Sequence, residues 1–154
     1  MTRTDRYTLV SGIGTGSTKL NAFDAALLSA GVGEYNLIKV SSILPPQSTE
    51  EKQIGVLPGS LLPIAYGSIS DSEPGRRITA AAAVGIPQDP RSIGVIMEYS
   101  GYDAEDEARS IVTEMVREAM ERRHLKTREI KCASVSCVTD SDVRCVFAGV
   151  ALWD

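Results

Sequence analysis

LNAFDAALLSAGVGEYNLIKVSSILPP, residues 20–46, passes from a helical pattern to a strand pattern and stops at two prolines. Apolar side chains recur at helical spacing from 19 to 30, and Gly31 is a natural position for that helix to end. Residues 35–44 have the composition of a strand, and the Pro45-Pro46 pair cannot continue its hydrogen bonds. The stretch therefore predicts a helix followed by a strand with an abrupt end.

On the N-terminal side, residues 7–11 predict a short strand, and the glycine-rich segment Gly12-Ile-Gly-Thr-Gly16 follows it. Glycines that precede a helix often bind phosphate. Their spacing here is neither the dinucleotide fingerprint nor the Walker pattern. We expect a tight strand-to-helix turn that needs positive φ, with a nucleotide-binding module as an alternative that nucleotide titration would test.

On the C-terminal side, a polar loop at 47–59 precedes five further strands and one long helix. The predicted strands are 61–70, 77–86, 92–100, 129–138 and 143–153, and the helix spans 104–123. Many strands with two helices set apart from them predict an α+β layered fold. The length of 154 residues suits a single domain, 1–154.

The composition excludes several classes of function. The net charge is -4 and the basic residues form no stripe, so we expect no nucleic-acid partner. Neither a signal-peptide pattern nor a membrane-spanning run is seen, which predicts a cytoplasmic protein without membrane contact. Cys132, Cys137 and Cys145 are expected to be reduced and buried. The single histidine, His124, sits in a basic patch at a helix end, and we assign it to the surface. Because it is the one histidine and lies at the surface, we expect neither a Ser-His-Asp catalytic triad nor a histidine-based metal site.

Two carboxylates stand out by position. Asp24 lies four residues from both Leu20 and Leu28, inside the apolar pattern of its helix, so it needs a partner: an arginine of the chain or a cationic ligand such as a guanidinium. Glu98 lies in a strand that is apolar on both faces, where burial raises a carboxyl pKa and makes the group a candidate general acid. The alternative is an edge position from which Glu98 reaches water.

The residues 20–46, 57–87 and 94–101 together resemble the pyruvoyl-dependent arginine decarboxylases in their short, single-domain form. The most specific matches are Asn36 with Ser41-Ser42 and Pro45-Pro46, and Met97-Glu98-Tyr99. The resemblance implies a four-layer αββα sandwich of two mainly antiparallel sheets with helices outside. It also implies a homotrimer, or a trimer of α–β pairs, with sites between subunits.

The resemblance further implies that the chain cuts itself between Ser41 and Ser42, giving a β chain, 1–41, and an α chain, 42–154. Ser42 would become a covalent pyruvoyl group, and neither metal nor PLP would be needed. Through a Schiff base to that group, L-arginine would be converted to agmatine and carbon dioxide. The use of the agmatine, in polyamine biosynthesis or elsewhere, stays open.

Individual roles are carried over by the same resemblance. Asn36 would stabilise the oxyanion of self-cleavage, Glu98 would donate a proton, and Asp24 would hold the guanidinium. The pocket-lining positions are Leu27, Gly33, Tyr35 and Ile43. Tyr35 is bulkier than the small aliphatic residue expected there, and segment 132–142 fits poorly and lacks an expected histidine. Two alternatives therefore remain: a decarboxylase of another amino acid, and an uncleaved, non-catalytic trimer that binds a small cation.

Overall fold

A computed structural model describes residues 3–154. Within them the chain forms two helices and nine strands. In chain order these are β1 (Arg6–Gly16), α1 (Lys19–Ser29), β2 (Asn36–Lys39), β3 (Ile43–Leu44), β4 (Thr49–Glu50), β5 (Leu61–Asp71), β6 (Arg77–Pro87), β7 (Gly94–Gly101), α2 (Glu105–Arg122), β8 (Thr127–Val138) and β9 (Val143–Trp153). Neither helix is long and apolar enough to cross a bilayer.

The strands form two sheets with one helix outside each. The first sheet has the order β2-β5-β9-β1-β4 and the second β3-β7-β6-β8. All pairs are antiparallel except β1 with β4 and β2 with β5. One core cluster fills the space between the sheets, a second lies between α1 and the first sheet, and a third lies between α2 and the second sheet. The predicted α+β sandwich of four layers is confirmed.

The glycine-rich segment is part of a strand and not a turn. β1 continues to Gly16, beyond the predicted end of the strand at residue 11, and none of its three glycines has positive φ. A Cβ on Gly12 would lie 2.5 Å from the Ala26 carbonyl oxygen, and one on Gly16 would lie 2.5 Å from the Ala22 nitrogen. The glycines thus let α1 pack directly on β1. The helix backbone fills the space that a phosphate would need, so the nucleotide-binding alternative loses its basis.

The buried face of α1 differs from the predicted one. Ala22 and Ala26 are fully buried, whereas Leu20 is 76% exposed and Leu28 is 56% exposed. Asp24, which lies between these leucines on the helix surface, is exposed as well. The prediction that Asp24 faces the core is wrong, because the glycines of β1 admit only small helix residues at close range. Leu20, Asp24 and Leu28 form an exposed row, which we call the outer row of α1.

The predicted strand 35–44 is divided between the two sheets. β2 pairs with β5 in the first sheet, and β3 pairs with β7 in the second, so residues 40–42 cross between them. Ser42 has a φ of 88°, outside the extended region, and this prevents one continuous strand. The predicted loop 47–59 contains the short strand β4.

The other predictions hold with small shifts of boundary. Gly31 has a φ of 82° just after α1, as expected for a helix end. Val112, Val116 and Met120 are buried on the inner face of α2. His124 is exposed beyond the end of α2. The three cysteines are free, but only Cys145 is buried; Cys132 and Cys137, both in β8, are half-buried, contrary to the prediction.

Candidate active site

The Ser41–Ser42 peptide lies where the chain crosses from one sheet to the other. Ser41 is exposed, whereas Ser42 is only 9% exposed. The Ser42 carbonyl oxygen accepts a hydrogen bond of 2.9 Å from the backbone N–H of Ile96, and the next residue, Ile43, pairs with Val95. The C-terminal side of this peptide is therefore fixed to β7, while its N-terminal side faces solvent.

Glu98 is the side chain that meets Ser42. The Ser42 hydroxyl donates to the Glu98 carboxyl, with an Oγ–Oε2 distance of 3.3 Å. β3 covers β7 only at Gly94 and Val95, so Glu98 lies beyond it, half-buried and open on one side. Burial raises the pKa of Glu98, and the positive charge of Lys39 and the Ser42 hydroxyl oppose this rise. Such a carboxyl can accept the serine proton when it is ionised and can donate a proton when it is neutral.

Asp24 and Asn36 lie apart from this pair within one chain. Asp24 is exposed on the outer row of α1 and forms no ion pair with the other described residues. The Asn36 side-chain amide donates to the Gly59 carbonyl at 2.8 Å. Asn36 opens β2, and Ser42 lies past the other end of that strand, roughly 10 Å or more away at the usual rise per residue. The roles expected for Asp24 and Asn36 stay predictions.

The expected pocket residues are also distributed over several elements. Leu27 is half-buried between α1 and the first sheet, and Gly33 is packed against the Leu28 side chain. Tyr35 packs into the same cluster and its hydroxyl donates to the Val56 carbonyl at 3.3 Å. Ile43 is 37% exposed beside Ser42. The candidate site residues that one chain brings together are Ser41, Ser42, Ile43 and Glu98.

Two residues of this region were missed by the sequence reasoning. The Lys39 ammonium lies over the Tyr66 ring, with Nζ 4.7 Å from the ring centroid. Lys39 also contributes the charge that acts on Glu98. The available signal was a lone cation in the otherwise uncharged run Asn36-Leu-Ile-Lys-Val40, three residues before Ser42.

Comparison with known proteins decides the family. The model of the pyruvoyl-dependent arginine decarboxylases matches residues 6–152. The chain belongs to this family. A pyruvoyl-dependent arginine decarboxylase of Methanocaldococcus jannaschii is 44% identical over 146 residues, which cover 94% of this chain and 87% of the relative. One of Thermococcus sibiricus is 42% identical over 147 residues, covering 94% and 92%. The predicted family and its enzyme class, the carboxy-lyases, are confirmed.

The fold of this chain is similar to that of a solved structure. A pyruvoyl-dependent histidine decarboxylase at pH 8 superimposes with a TM-score of 0.53 and 15% sequence identity. The match covers 68% of this chain and 55% of the other, so the chain spans about half the length of that protein. This similarity concerns the layered fold alone.

The residues at the crossing fit the pyruvoyl group that the family name implies. Such a group would keep the backbone carbonyl of residue 42, which accepts a hydrogen bond from the Ile96 N–H. It would take the place of the amide nitrogen and the side-chain hydroxyl of Ser42. Because β3 and β7 hold this side of the peptide, the new chain end would stay beside Glu98.

Proposed function

We propose that the chain cleaves itself between Ser41 and Ser42, and that the products, 1–41 and 42–154, convert L-arginine to agmatine and carbon dioxide. The observation that carries this proposal is the geometry of Ser42. Its backbone has positive φ, and its hydroxyl donates a hydrogen bond to the Glu98 carboxyl. The relatives named above support arginine as the substrate. The cytoplasm stays the predicted compartment.

Self-cleavage begins with the Ser42 hydroxyl. Its Oγ attacks the Ser41 carbonyl carbon while Glu98 takes up the hydroxyl proton, which then passes to the leaving nitrogen. The peptide C–N bond breaks and an ester C–O bond takes its place. Loss of the α proton of residue 42 next breaks its Cβ–Oγ bond, which releases Ser41 as a carboxylate and leaves a dehydroalanine. One water molecule then replaces the nitrogen of residue 42, which departs as ammonia.

The conformation of Ser42 favours the first step. A residue other than glycine in the left-handed region stores about 1–3 kcal/mol, and it stays there only where its surroundings hold it. Here the carbonyl of Ser42 is bonded to Ile96 and its hydroxyl to Glu98. Cleavage of the preceding peptide removes the constraint on φ, so the stored energy assists the reaction.

The decarboxylation needs a proton donor and a means of orienting arginine. The pyruvoyl group supplies a carbonyl that binds the substrate amine and takes up the electron pair left by carbon dioxide. Glu98 stands beside that position, and its raised pKa keeps it protonated to higher pH than a solvated glutamate. Asp24 would bind the guanidinium through both carboxylate oxygens.

A homotrimer, or a trimer of α–β pairs, would bring these groups together. Within one chain the outer row of α1 lies outside the first sheet, whereas Glu98 lies on the inner side of that sheet, opposite Ala82 of β6. Apolar side chains surround Asp24 on that row and continue near β2 and β5, where Leu57 is 79% exposed and Leu61 is 68% exposed. Burial of these side chains against a second copy would place Asp24 of one subunit at Glu98 of its neighbour.

The test is the intact mass of the denatured protein. We expect two chains that meet at Ser41/Ser42, the larger one lighter by one ammonia than simple hydrolysis would give. Ser42→Ala is the matched control and should yield one uncut chain. The cleaved protein should release carbon dioxide from arginine, and Asp24→Asn should be cleaved normally but need much more arginine. A single uncut wild-type chain would contradict the proposal and favour a non-catalytic homologue.

A further inference from the structure

We propose that the Ile96 backbone carbonyl promotes self-cleavage by accepting a hydrogen bond from the nitrogen that the cut between Ser41 and Ser42 releases. The uncut chain leaves this carbonyl without a donor, and the cut supplies one. The inference rests on the proposed function, because it concerns the first step of the proposed self-cleavage. It adds a backbone group of β7 to the groups that act on the scissile peptide.

Ser42 and Ile96 form only half of a regular antiparallel pair. β3 pairs with β7 with Ile43 opposite Val95, so the register places Ser42 opposite Ile96. At alternate positions of an antiparallel ladder, two opposing residues exchange two hydrogen bonds. The first bond is present here, with the Ile96 N–H donating to the Ser42 carbonyl at 2.9 Å. The second bond, from the Ser42 N–H to the Ile96 carbonyl, is not formed.

The backbone conformation of Ser42 explains the missing bond. The torsion φ sets the direction of the N–H about the N–Cα bond, and at Ser42 it is 88° instead of the negative value of a strand. The N–H is thereby turned out of the ladder, whereas the carbonyl stays in it. The crossing between the sheets imposes this path, because the Val40 N–H is bonded to the Ile64 carbonyl in the first sheet while Ile43 is paired in the second.

The Ile96 carbonyl is left in an unfavourable environment. Ile96 is 0% exposed, so water cannot supply a donor. Its C=O points to the same edge of β7 as its N–H, away from β6, and no backbone or side-chain donor among residues 3–154 is bonded to it there. Buried backbone carbonyls without a partner are rare and cost free energy. A new donor at this point would therefore bind favourably.

Cleavage creates that donor. As Oγ of Ser42 bonds to the Ser41 carbonyl carbon and the C–N bond breaks, the hydroxyl proton reaches the nitrogen through Glu98. The nitrogen then carries two hydrogens and is no longer tied to Ser41, so rotation about its bond to Cα can point one N–H at the Ile96 carbonyl. The second half of the pair thus forms in the ester and not in the amide. Because this hydrogen bond is absent beforehand and forms as the C–N bond breaks, it lowers the barrier to the cut.

The test weakens this carbonyl without changing a side chain. In cell-free translation, the α-hydroxy analogue of methionine at position 97 replaces the amide between Ile96 and Met97 by an ester, whose carbonyl is a poorer acceptor. The α-hydroxy analogue of tyrosine at position 99 is the matched control. It removes an N–H that points to β6 in the same way, but it weakens the carbonyl of Glu98 instead. The Ser42 hydroxyl and the Glu98 carboxyl stay intact in both variants.

The readout is the rate at which the newly made chain is cut, followed by intact mass. We expect the ester at position 97 to slow the cut about tenfold, as the loss of one hydrogen bond would, and the ester at position 99 to leave the rate within about twofold. The free energy of unfolding in urea should fall by similar amounts in both variants, because each loses one bond to β6. Equal cleavage rates in the two variants would overturn the inference.

A measurement on the uncut chain separates this inference from the proposed function. In Ser42→Ala, where the crossing between the sheets keeps the same path, NMR couplings across hydrogen bonds should connect the Ile96 N–H to the carbonyl of residue 42. No coupling should run from the N–H of residue 42 to the Ile96 carbonyl. Couplings in both directions would refute the role of Ile96 whatever the activity. A wild-type chain that stays uncut would refute the proposed function itself, whichever couplings are seen.

Discussion

Ser42 combines a backbone and a side-chain feature that rarely occur together. Its φ of 88° would suit glycine, yet the proposed cleavage needs a hydroxyl at this position. The surrounding contacts hold the conformation: Ile96 N–H binds the carbonyl, and Glu98 accepts from Oγ. The strain is thus a consequence of placing a nucleophile where the chain must turn from one sheet into the other.

This strain predicts an inverted order of stability for two inactive variants. Both Ser42→Gly and Ser42→Ala stay uncut, but only glycine adopts the left-handed region freely. We expect Ser42→Gly to be more stable than Ser42→Ala by about 1 kcal/mol, measured as the free energy of unfolding in urea. In the exposed, solvent-facing Ser41 the order should be reversed, with Ala the more stable. Equal stabilities at position 42 would show that Ser42 is unstrained.

Single residues were predictable where a strand alternates in a regular way. Glu98 could be assigned as a buried acid because apolar residues occupy both faces of its strand, and its side chain is half-buried against Ser42. The environment of Asp24 could not be assigned, because the helical pattern shows which residues share a face but not which face is covered. Lys39 was overlooked because its contact is with Tyr66, which is 27 positions away in sequence.

At the scale of elements, the contact between α1 and β1 decides where the helix can sit. Three glycines at alternate positions present one bare face of β1, and Ala22 and Ala26 settle onto it. Small residues at matched spacing on a strand and the next helix were visible in the sequence, but the pattern of large apolar residues in α1 indicated the wrong face. The crossing at 40–42 had no such signal, since the β-branched residues Ile38 and Val40 precede the serine pair and Ile43 follows it.

A substitution in this contact should be costly. In Gly14→Ala the new Cβ would collide with the backbone of Ala22 and Ala26, which cannot move aside as a flexible side chain could. We expect a loss of about 3 kcal/mol in the free energy of unfolding, at the upper end for an overpacked core. The neighbouring Thr15 is exposed, and Thr15→Ala should change the free energy by about 0.5 kcal/mol or less. A stable Gly14→Ala protein would mean that α1 does not rest on β1 as described.

At the scale of the whole molecule, the layered sandwich followed from the order of helices and strands together with the family resemblance. The assignment of each strand to a sheet did not, because it depends on pairings between distant segments, such as β1 with β9. The same separation into layers puts Asp24 outside α1 and Glu98 between the sheets. A complete site would thus combine surfaces of two subunits.

Complementation between two inactive variants tests this arrangement. Asp24→Asn removes the group that would bind the guanidinium, and Glu98→Gln removes the proton donor beside Ser42 of the same chain. In a trimer assembled at random from equal amounts of both, about a quarter of the sites would combine the intact Asp24 of one subunit with the intact Glu98 and Ser42 of the next. We expect arginine decarboxylation to return to roughly that fraction after the variants are unfolded and refolded together, and to stay absent when they are refolded separately and then mixed. No recovery in the co-refolded sample, with mixed trimers verified by native mass spectrometry, would place both carboxylates in one subunit's site. The exposed outer row of α1 would then need a different explanation, since Asp24 could reach Glu98 of its own chain only if α1 moved away from β1.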